Sequence, residues 1–244
     1  MREGHHRSYL FVAILCGVAA WFFFSSSAPA QKYASPFPRD GATKAQESDC
    51  FAIWDVTWED HKSTGMYELP LDQVTVFLRE GAVKITRPDG TWTIEQERLG
   101  SIRVDAKGTV EAEEGLSEFP SRAIVFQLKD GVPPKFPITP GVPDQLPRPG
   151  ADQLFENDRI IVYDQTFRPG APAPRHQHYG LTAGVVLVPG KTLVIWDPEN
   201  GVQRPNQVNI LEPGGIINHT ALLKVPHREG QLEGSPRLIY IKLK

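Results

Sequence analysis

The chain holds only two cysteines among its 244 residues, Cys16 and Cys50. Cys16 lies in an amino-terminal apolar run, and loss of that run leaves Cys50 alone, so an internal disulfide is excluded and stability must come from buried area. Net positive charge is lacking as well: the formal charge is −3, which excludes a basic nucleic-acid binder. Beyond residue 30 there is no long apolar run and no sustained helical stripe. Gly-rich phosphate loops, Cys-x-x-Cys pairs and nucleophile elbows are missing, which removes the commonest nucleotide, redox and acyl-transfer signatures. What is plentiful is turn chemistry. The 22 prolines and 21 glycines punctuate short β-branched and aromatic runs, such as VTVFL before Arg79-Glu80-Gly81 and TLVIW before Asp197-Pro198. Closely spaced strands with such punctuation predict an all-β sandwich or barrel.

Arg2 and Arg7 precede the apolar residues 9–24, then Ser25-Ser26-Ser27 and Ala28-Pro29-Ala30. This is the order of a secretory signal peptide, with cleavage expected before Gln31. Sixteen apolar residues span about 24 Å as a helix, short of a hydrocarbon core of about 30 Å. An uncleaved anchor is the alternative, and under both readings the rest of the chain is exported, periplasmic or extracellular. No other membrane contact is expected. Leu15 directly before Cys16 is wrong for lipoprotein processing. Cys50, beside Phe51, reads as a small core residue, with a reactive thiol as the alternative.

After the signal segment 1–30, residues 31–49 read as a polar, flexible leader. Residues 131–156 read as a proline-rich linker or strap, with seven prolines between 131 and 150 that forbid helix. The segments on either side, 50–130 and 157–244, resemble each other. At a shift of 109, Phe51-Ala-Ile-Trp-Asp55 lies on Ile160-Ile-Val-Tyr-Asp164 and Val76-Phe77-Leu78 on Val185-Val186-Leu187. At a shift of 115, Arg122 to Lys129 lies on Arg237 to Lys244. Two copies of one fold unit explain both matches.

In the second copy Gly170 is followed after five residues by His176-Gln177-His178, then by Gly190 and Pro213-Gly214-Gly215. This pattern resembles the cupin superfamily. The resemblance implies two tandem jelly-roll barrels (a bicupin) and a divalent metal held by two histidines, a glutamate and a further histidine. His-x-His suits that role, because residues i and i+2 of an extended segment face the same way. The remaining ligand positions depart from the family: the glutamate falls on Ala183 and the second-motif histidine on Asn218, with His219 adjacent. The candidate metal set is therefore His176 and His178 with Asn218 or His219 as third ligand. His219 could face inward only through a bulge or register shift. Without a carboxylate the set favours Zn, Ni or Cu over Mn or Fe. The competing reading is a metal-free barrel in which the histidines bond to each other, to Asn218 or to water.

In the first copy the histidine positions become Tyr67 and Leu69, the glutamate Val74 and the second-motif histidine Glu111. No metal site is expected there. An apolar, structural interior is the first reading, and a small pocket on Tyr67 and Glu111 the alternative. His61 and His227 read as loop residues, His227 in a polar loop that could cover the barrel mouth. Trp54, Trp58, Trp92 and Trp196 read as core or rim. The Asn218-His219-Thr220 sequon falls where an inward strand is expected, which disfavours a glycan.

Function is therefore expected to reside in the second copy, as binding of a small polar ligand or a metal. A metal-dependent dioxygenase, isomerase or lyase acting on a small organic acid or sugar is the alternative. A third reading is an envelope assembly protein or homo-oligomer that uses the exposed strap.

Overall fold

The computed structural model describes residues 33–198, 201–218 and 225–244. The expected signal segment and His219 fall outside the described residues. Within them every regular element is a strand. A five-stranded sheet carries the order β1 (Ala42–Glu47), β2 (Phe51–Trp58), β9 (Ser121–Leu128), β4 (Asp72–Arg79) and β7 (Ile102–Asp105). A four-stranded sheet contains β3 (Tyr67–Glu68), β8 (Val110–Gly115), β5 (Gly81–Thr86) and β6 (Trp92–Glu97). The third sheet runs β10 (Ala151–Glu156), β11 (Ile160–Thr166), β15 (His227–Leu243), β12 (Thr182–Trp196) and β13 (Gln207–Leu211), with β14 (Ile216–Asn218) paired to β12.

The pairings of the first half recur in the second. Ala42 opposite Val56 becomes Ala151 opposite Gln165, and the bulge between Lys44 and Gln46 recurs between Gln153 and Phe155, each 109 residues on. Phe51 opposite Leu128 becomes Ile160 opposite Leu243. The bidentate pair of Arg122 with Asp55 returns as Arg237 with Asp164, each at 2.7 Å.

Strands β2, β4, β9, β11, the last part of β15 and the first part of β12 are rich in apolar residues because both of their faces are covered. On one face Phe51, Ile53, Val74, Val76, Ile124 and Phe126 meet Ile160, Val162, Ala183, Val185, Ile239 and Ile241 in a single core shared by the two halves. Cys50 lies in that core as a free, buried thiol. The opposite faces line two separate interiors, one with Trp54, Val56, Trp58 and Phe77, the other with Tyr163, Phe167, Leu238 and Tyr240.

The halves also interlock at two turns. Gly100 and Gly214 both have positive φ. A Cβ on Gly100 would meet Leu187 and Arg237, and one on Gly214 would meet Leu78 and Arg122. Leu78 and Leu187 are themselves equivalent at the shift of 109, so each half presses the same leucine and arginine onto the other's glycine turn.

Two stretches differ from expectation. Residues 42–47, within the expected flexible leader, form β1, and residues 151–156, within the expected strap, form β10. Both are edge strands exposed on nearly all positions, so neither carries the apolar alternation by which strands are recognised.

Because the main core is shared, its loss should be felt in both halves. Ile53→Ala is expected to cost about 2–5 kcal/mol, with one unfolding transition rather than two. Fluorescence of Trp54 and Trp196 in single-tryptophan backgrounds, followed through urea denaturation, checks this; separate midpoints would refute a common core.

Candidate metal centre

Strands β12 and β15 stay paired along most of their length, through three register irregularities, until Val194 lies opposite Glu229 and Trp196 opposite His227. Beyond them His176 exchanges both backbone hydrogen bonds with His227, each at 2.9 Å. His227 and Glu229 alternate with exposed Arg228 and so point inward together. His176 and His178 do the same from the opposing segment. The proline-rich strap holds that segment in place. The Gln177 side chain donates to the Pro137 carbonyl at 2.6 Å and accepts from the Thr139 N–H at 3.1 Å, while its backbone is bonded to Pro143 and Gln145.

The result is a buried quartet. His176, His178, His227 and Glu229 each offer a ligand atom, all within 4.8 Å of one another. His176 Nδ1 is bonded to the Pro174 carbonyl at 2.8 Å and His227 Nδ1 to the Val225 carbonyl at 2.9 Å, which directs both Nε2 atoms inward. His178 Nε2 and His227 Nε2 are 3.4 Å apart. That equals the edge of a tetrahedron of nitrogens around an ion at about 2.0–2.1 Å, which is about 3.3 Å. His176 Nε2 is buried and has no hydrogen-bond partner among the described residues. Burial pushes the His176 imidazole down to about 4, so its lone pair is free at neutral pH. Arg148 of the strap bonds one Glu229 oxygen at 3.0 Å, and Gln165 bonds the Arg148 Nε at 3.0 Å. The other Glu229 oxygen lies 3.8 Å from His227 Nε2. Such outer partners fix the orientation of ligand side chains. The donor set fits a divalent metal ion.

The quartet differs from the expected ligand set, of which His219 lies outside the described residues. His176 and His178 come together as foreseen. Asn218 pairs with Ala183 in β14 and β12. Its neighbour Ile217 packs beside Tyr240 in the second interior while Ile216 packs on the shared core, so alternation turns Asn218 towards the shared core. Ala183 belongs to that core too, and buried Thr182 is the residue there that faces inward. His227 is not a solvated loop residue: it opens β15 and is 2% exposed. The readable signal was His227-Arg228-Glu229, a second pair of ligand types at i and i+2.

The first interior is mixed: the expected apolar lining is present in Trp54, Val56, Phe77, Val83 and Val125, and a buried polar cluster lies beside it. Tyr67 lies opposite Glu111, as His176 lies opposite His227. The Tyr67 hydroxyl donates to Glu111 at 3.0 Å, and Trp58 Nε1 and Arg39 bond Glu113 at 2.9 and 3.2 Å. Arg103 reaches across from β7 to Glu113 and bonds Asp105 at 3.0 Å. A guanidinium thus supplies the positive charge here. Glu111, 5% exposed, has its carboxyl raised to about 7, chiefly by burial.

No family profile and no curated protein matches the sequence. Solved structures do. A cupin 2 conserved barrel domain protein from Leptotrichia buccalis is 13% identical, with a TM-score of 0.53 over 83% of this chain and 88% of that one. The protein Ylba from E. coli is 12% identical, with a TM-score of 0.56 over 85% and 86%. The oxalate decarboxylase of Bacillus subtilis, described for its Mn(II) centres, is 11% identical, with a TM-score of 0.55 over 83% and 72%. The fold is cupin-like. At these identities the likeness extends to the fold alone, and the quartet stands on this chain's own geometry.

Glu111 sets a pH dependence of the cupin-like fold. A carboxyl raised from 4.5 to about 7 on folding keeps its proton in the native state longer than in the unfolded one. Stability should therefore fall as pH rises through that window, by on the order of 3 kcal/mol, and then level off. Urea midpoints at about pH 5 and about pH 8 should differ in the wild type. Glu111→Gln should flatten that difference, and an unchanged slope would refute the assignment.

Proposed function

We propose that the chain is an exported bicupin whose second barrel holds one divalent metal ion on His176, His178, His227 and Glu229 and presents it to a small polar ligand. The observation that carries this reading is the convergence of three imidazoles and a carboxylate within 4.8 Å in a buried, cupin-like interior. Glu229 supplies the carboxylate that the motif lacks at Ala183, so the reason for disfavouring Mn and Fe falls away. When bound, the ion would act as a Lewis acid towards a ligand oxygen. The chain's own residues do the rest: Pro174 and Val225 carbonyls set the imidazole tautomers, and Arg148 holds the carboxylate. The domain boundaries proposed are 50–130 and 157–244, each gaining an edge strand from the preceding segment.

Elemental analysis of purified protein tests the site. About one ion per chain is expected, lost in His227→Ala and in His176→Ala with His178→Ala. Affinity in Glu229→Gln should drop by at least the 10- to 100-fold typical of weakened coordination. Asn218→Ala should retain the ion. Retention in His227→Ala, or loss in Asn218→Ala, would overturn the ligand set.

A second reading, a metal-dependent enzyme acting on a small organic acid, is favoured by one feature. Arg148 Nη2 and both amide atoms of Gln145 are buried without hydrogen-bond partners among the described residues. Both side chains come from the strap that clasps the histidine segment, so donors for an anion lie close by. Product analysis after incubating the metal-loaded chain with oxalate, malonate and pyruvate checks it, and no turnover with any of them would count against catalysis.

A further inference from the structure

The proline-rich strap is tied to the protein at two places and stands clear of it between them. At its start the Lys129 N–H donates to the Cys50 carbonyl at 2.9 Å, and Arg159 bonds the Lys129 carbonyl at 2.9 Å. Further along, Gln177 bonds Pro137 and Thr139, and the Tyr179 hydroxyl donates to the Val142 carbonyl. Residues 132–136, between these anchors, make no backbone hydrogen bond among the described residues. They do not settle on the sheet below. A cleft of about 600 Å³ separates them from the start of β11 and the end of β15, lined by Pro133, Pro134 and Phe136 of the strap and by Ile161 and Leu243 of the sheet. Tyr179 and Gly180, which follow His178 in the chain, line it as well.

The composition of the free span is not that of a spacer. Residues 132–138 read VPPKFPI, with Lys135 as the one polar side chain. Val132 is 85% exposed and Ile138 63%. A connection that only had to cross the surface would carry polar residues, and clustered apolar residues in contact with water mark a place where something binds. The proline rings hold the span extended and stiff, so it keeps the cleft open rather than collapsing into it. Apolar and aromatic walls around about 300–1,000 Å³ with few polar groups are the form of a small-molecule site, whereas a protein partner takes about 800 Å² of each surface. The charges at the cleft are unequal. Lys242 is paired with Asp144 and Lys244 with Glu156. Lys135 also lines the cleft, is exposed, and has no ion pair among the described residues.

We propose that this cleft is a ligand site outside both interiors, and that it takes a planar aromatic carboxylate. The flat faces of Pro133, Pro134, Phe136 and Tyr179 suit a ring, which buries apolar area on both sides at little entropic cost. Lys135 supplies the one uncommitted positive charge for the carboxylate. Gln177 and Tyr179 are turned towards the strap and His176 and His178 towards the quartet, so the two sites lie on opposite sides of one segment. Occupancy of the cleft therefore requires no metal.

Titration calorimetry of the full chain with indole-3-acetate, its neutral analogue indole-3-acetamide and the aliphatic hexanoate tests the proposal. Saturable binding of indole-3-acetate is expected, several-fold tighter than that of the amide and of hexanoate. Phe136→Ala should weaken it tenfold or more. Lys135→Glu should weaken the carboxylate several-fold and leave the amide unchanged, a difference that a general disturbance of the strap would not produce. Affinity should be the same in the His176→Ala, His178→Ala variant. Should Phe136→Ala fail to fold, Lys135→Glu, at an exposed position, carries the comparison. No saturable binding of indole-3-acetate, equal affinity for hexanoate, equal affinity in Lys135→Glu, or loss of binding in the folded histidine variant would overturn it.

Discussion

Burial of the two large sheets against each other is the constraint on which the rest of the molecule depends. Ile53, Val76, Ile124 and their partners Val162, Val185 and Ile239 leave no solvent-facing side on the strands that bear them. Apart from the Asp55–Arg122 and Asp164–Arg237 pairs at the edge of that contact, the buried polar side chains of those strands turn into the two interiors. Gln73, Thr75, Gln127, Gln165 and Tyr163 are polar groups inside the protein because their apolar neighbours are needed between the halves. An interior lined in this way must satisfy its polar groups internally or through something it binds. Functional chemistry and fold stability are thus two faces of the same strands.

The second half resolves this demand through the strap. A proline-rich segment has few backbone donors, and its carbonyls are correspondingly free to accept. Pro137 and Pro143 carbonyls take hydrogen bonds from Gln177, between the two histidines. The segment therefore clamps the two histidines from outside while Arg148 enters from its far end to hold Glu229. What composition suggests to be a spacer is a structural brace for the quartet. Irregularities in β12 and β15 complete the arrangement by bringing Trp196 and His227 to the same end of the interior.

The parts legible in the sequence were those in which periodicity and burial coincide. Strands buried on both faces announce themselves as apolar runs, and the shift of 109 between Asp55 and Asp164 survives because each carboxylate holds an equivalent arginine. The edge strands Ala42–Glu47 and Ala151–Glu156 were illegible because an exposed edge needs no apolar residues. His176 and His178 were found by spacing. His227 and Glu229 were missed for a different reason: they lie far along the chain, after a change in the repeat shift, and only the pairing of His176 with His227 brings them to the site. Asn218 was chosen by motif position, yet strand alternation takes it to the wrong face. A ligand can be named from linear spacing when its partners are local, whereas a ligand delivered by a distant strand is defined by register.

Register also explains how one fold arrives at two different interiors. Tyr67 stands where His176 does and Glu111 where His227 does, since each pair faces across the same two strands. Glu113, two residues past Glu111, corresponds in the same way to Glu229, two past His227, and both carboxylates are bonded by an arginine. The difference lies in what else meets them. In the second half three imidazoles converge on Glu229 and leave His176 Nε2 without a hydrogen-bond partner among the described residues, an electron-pair donor set that suits a cation. In the first half Arg103 and Arg39 converge on Glu113 and complete the charge from within. A guanidinium is a fixed cation that spends its charge on the protein, whereas an imidazole set keeps its lone pairs for an ion from solution. The first interior therefore carries its positive charge on the protein, in a matched network of Arg103, Arg39 and Glu113.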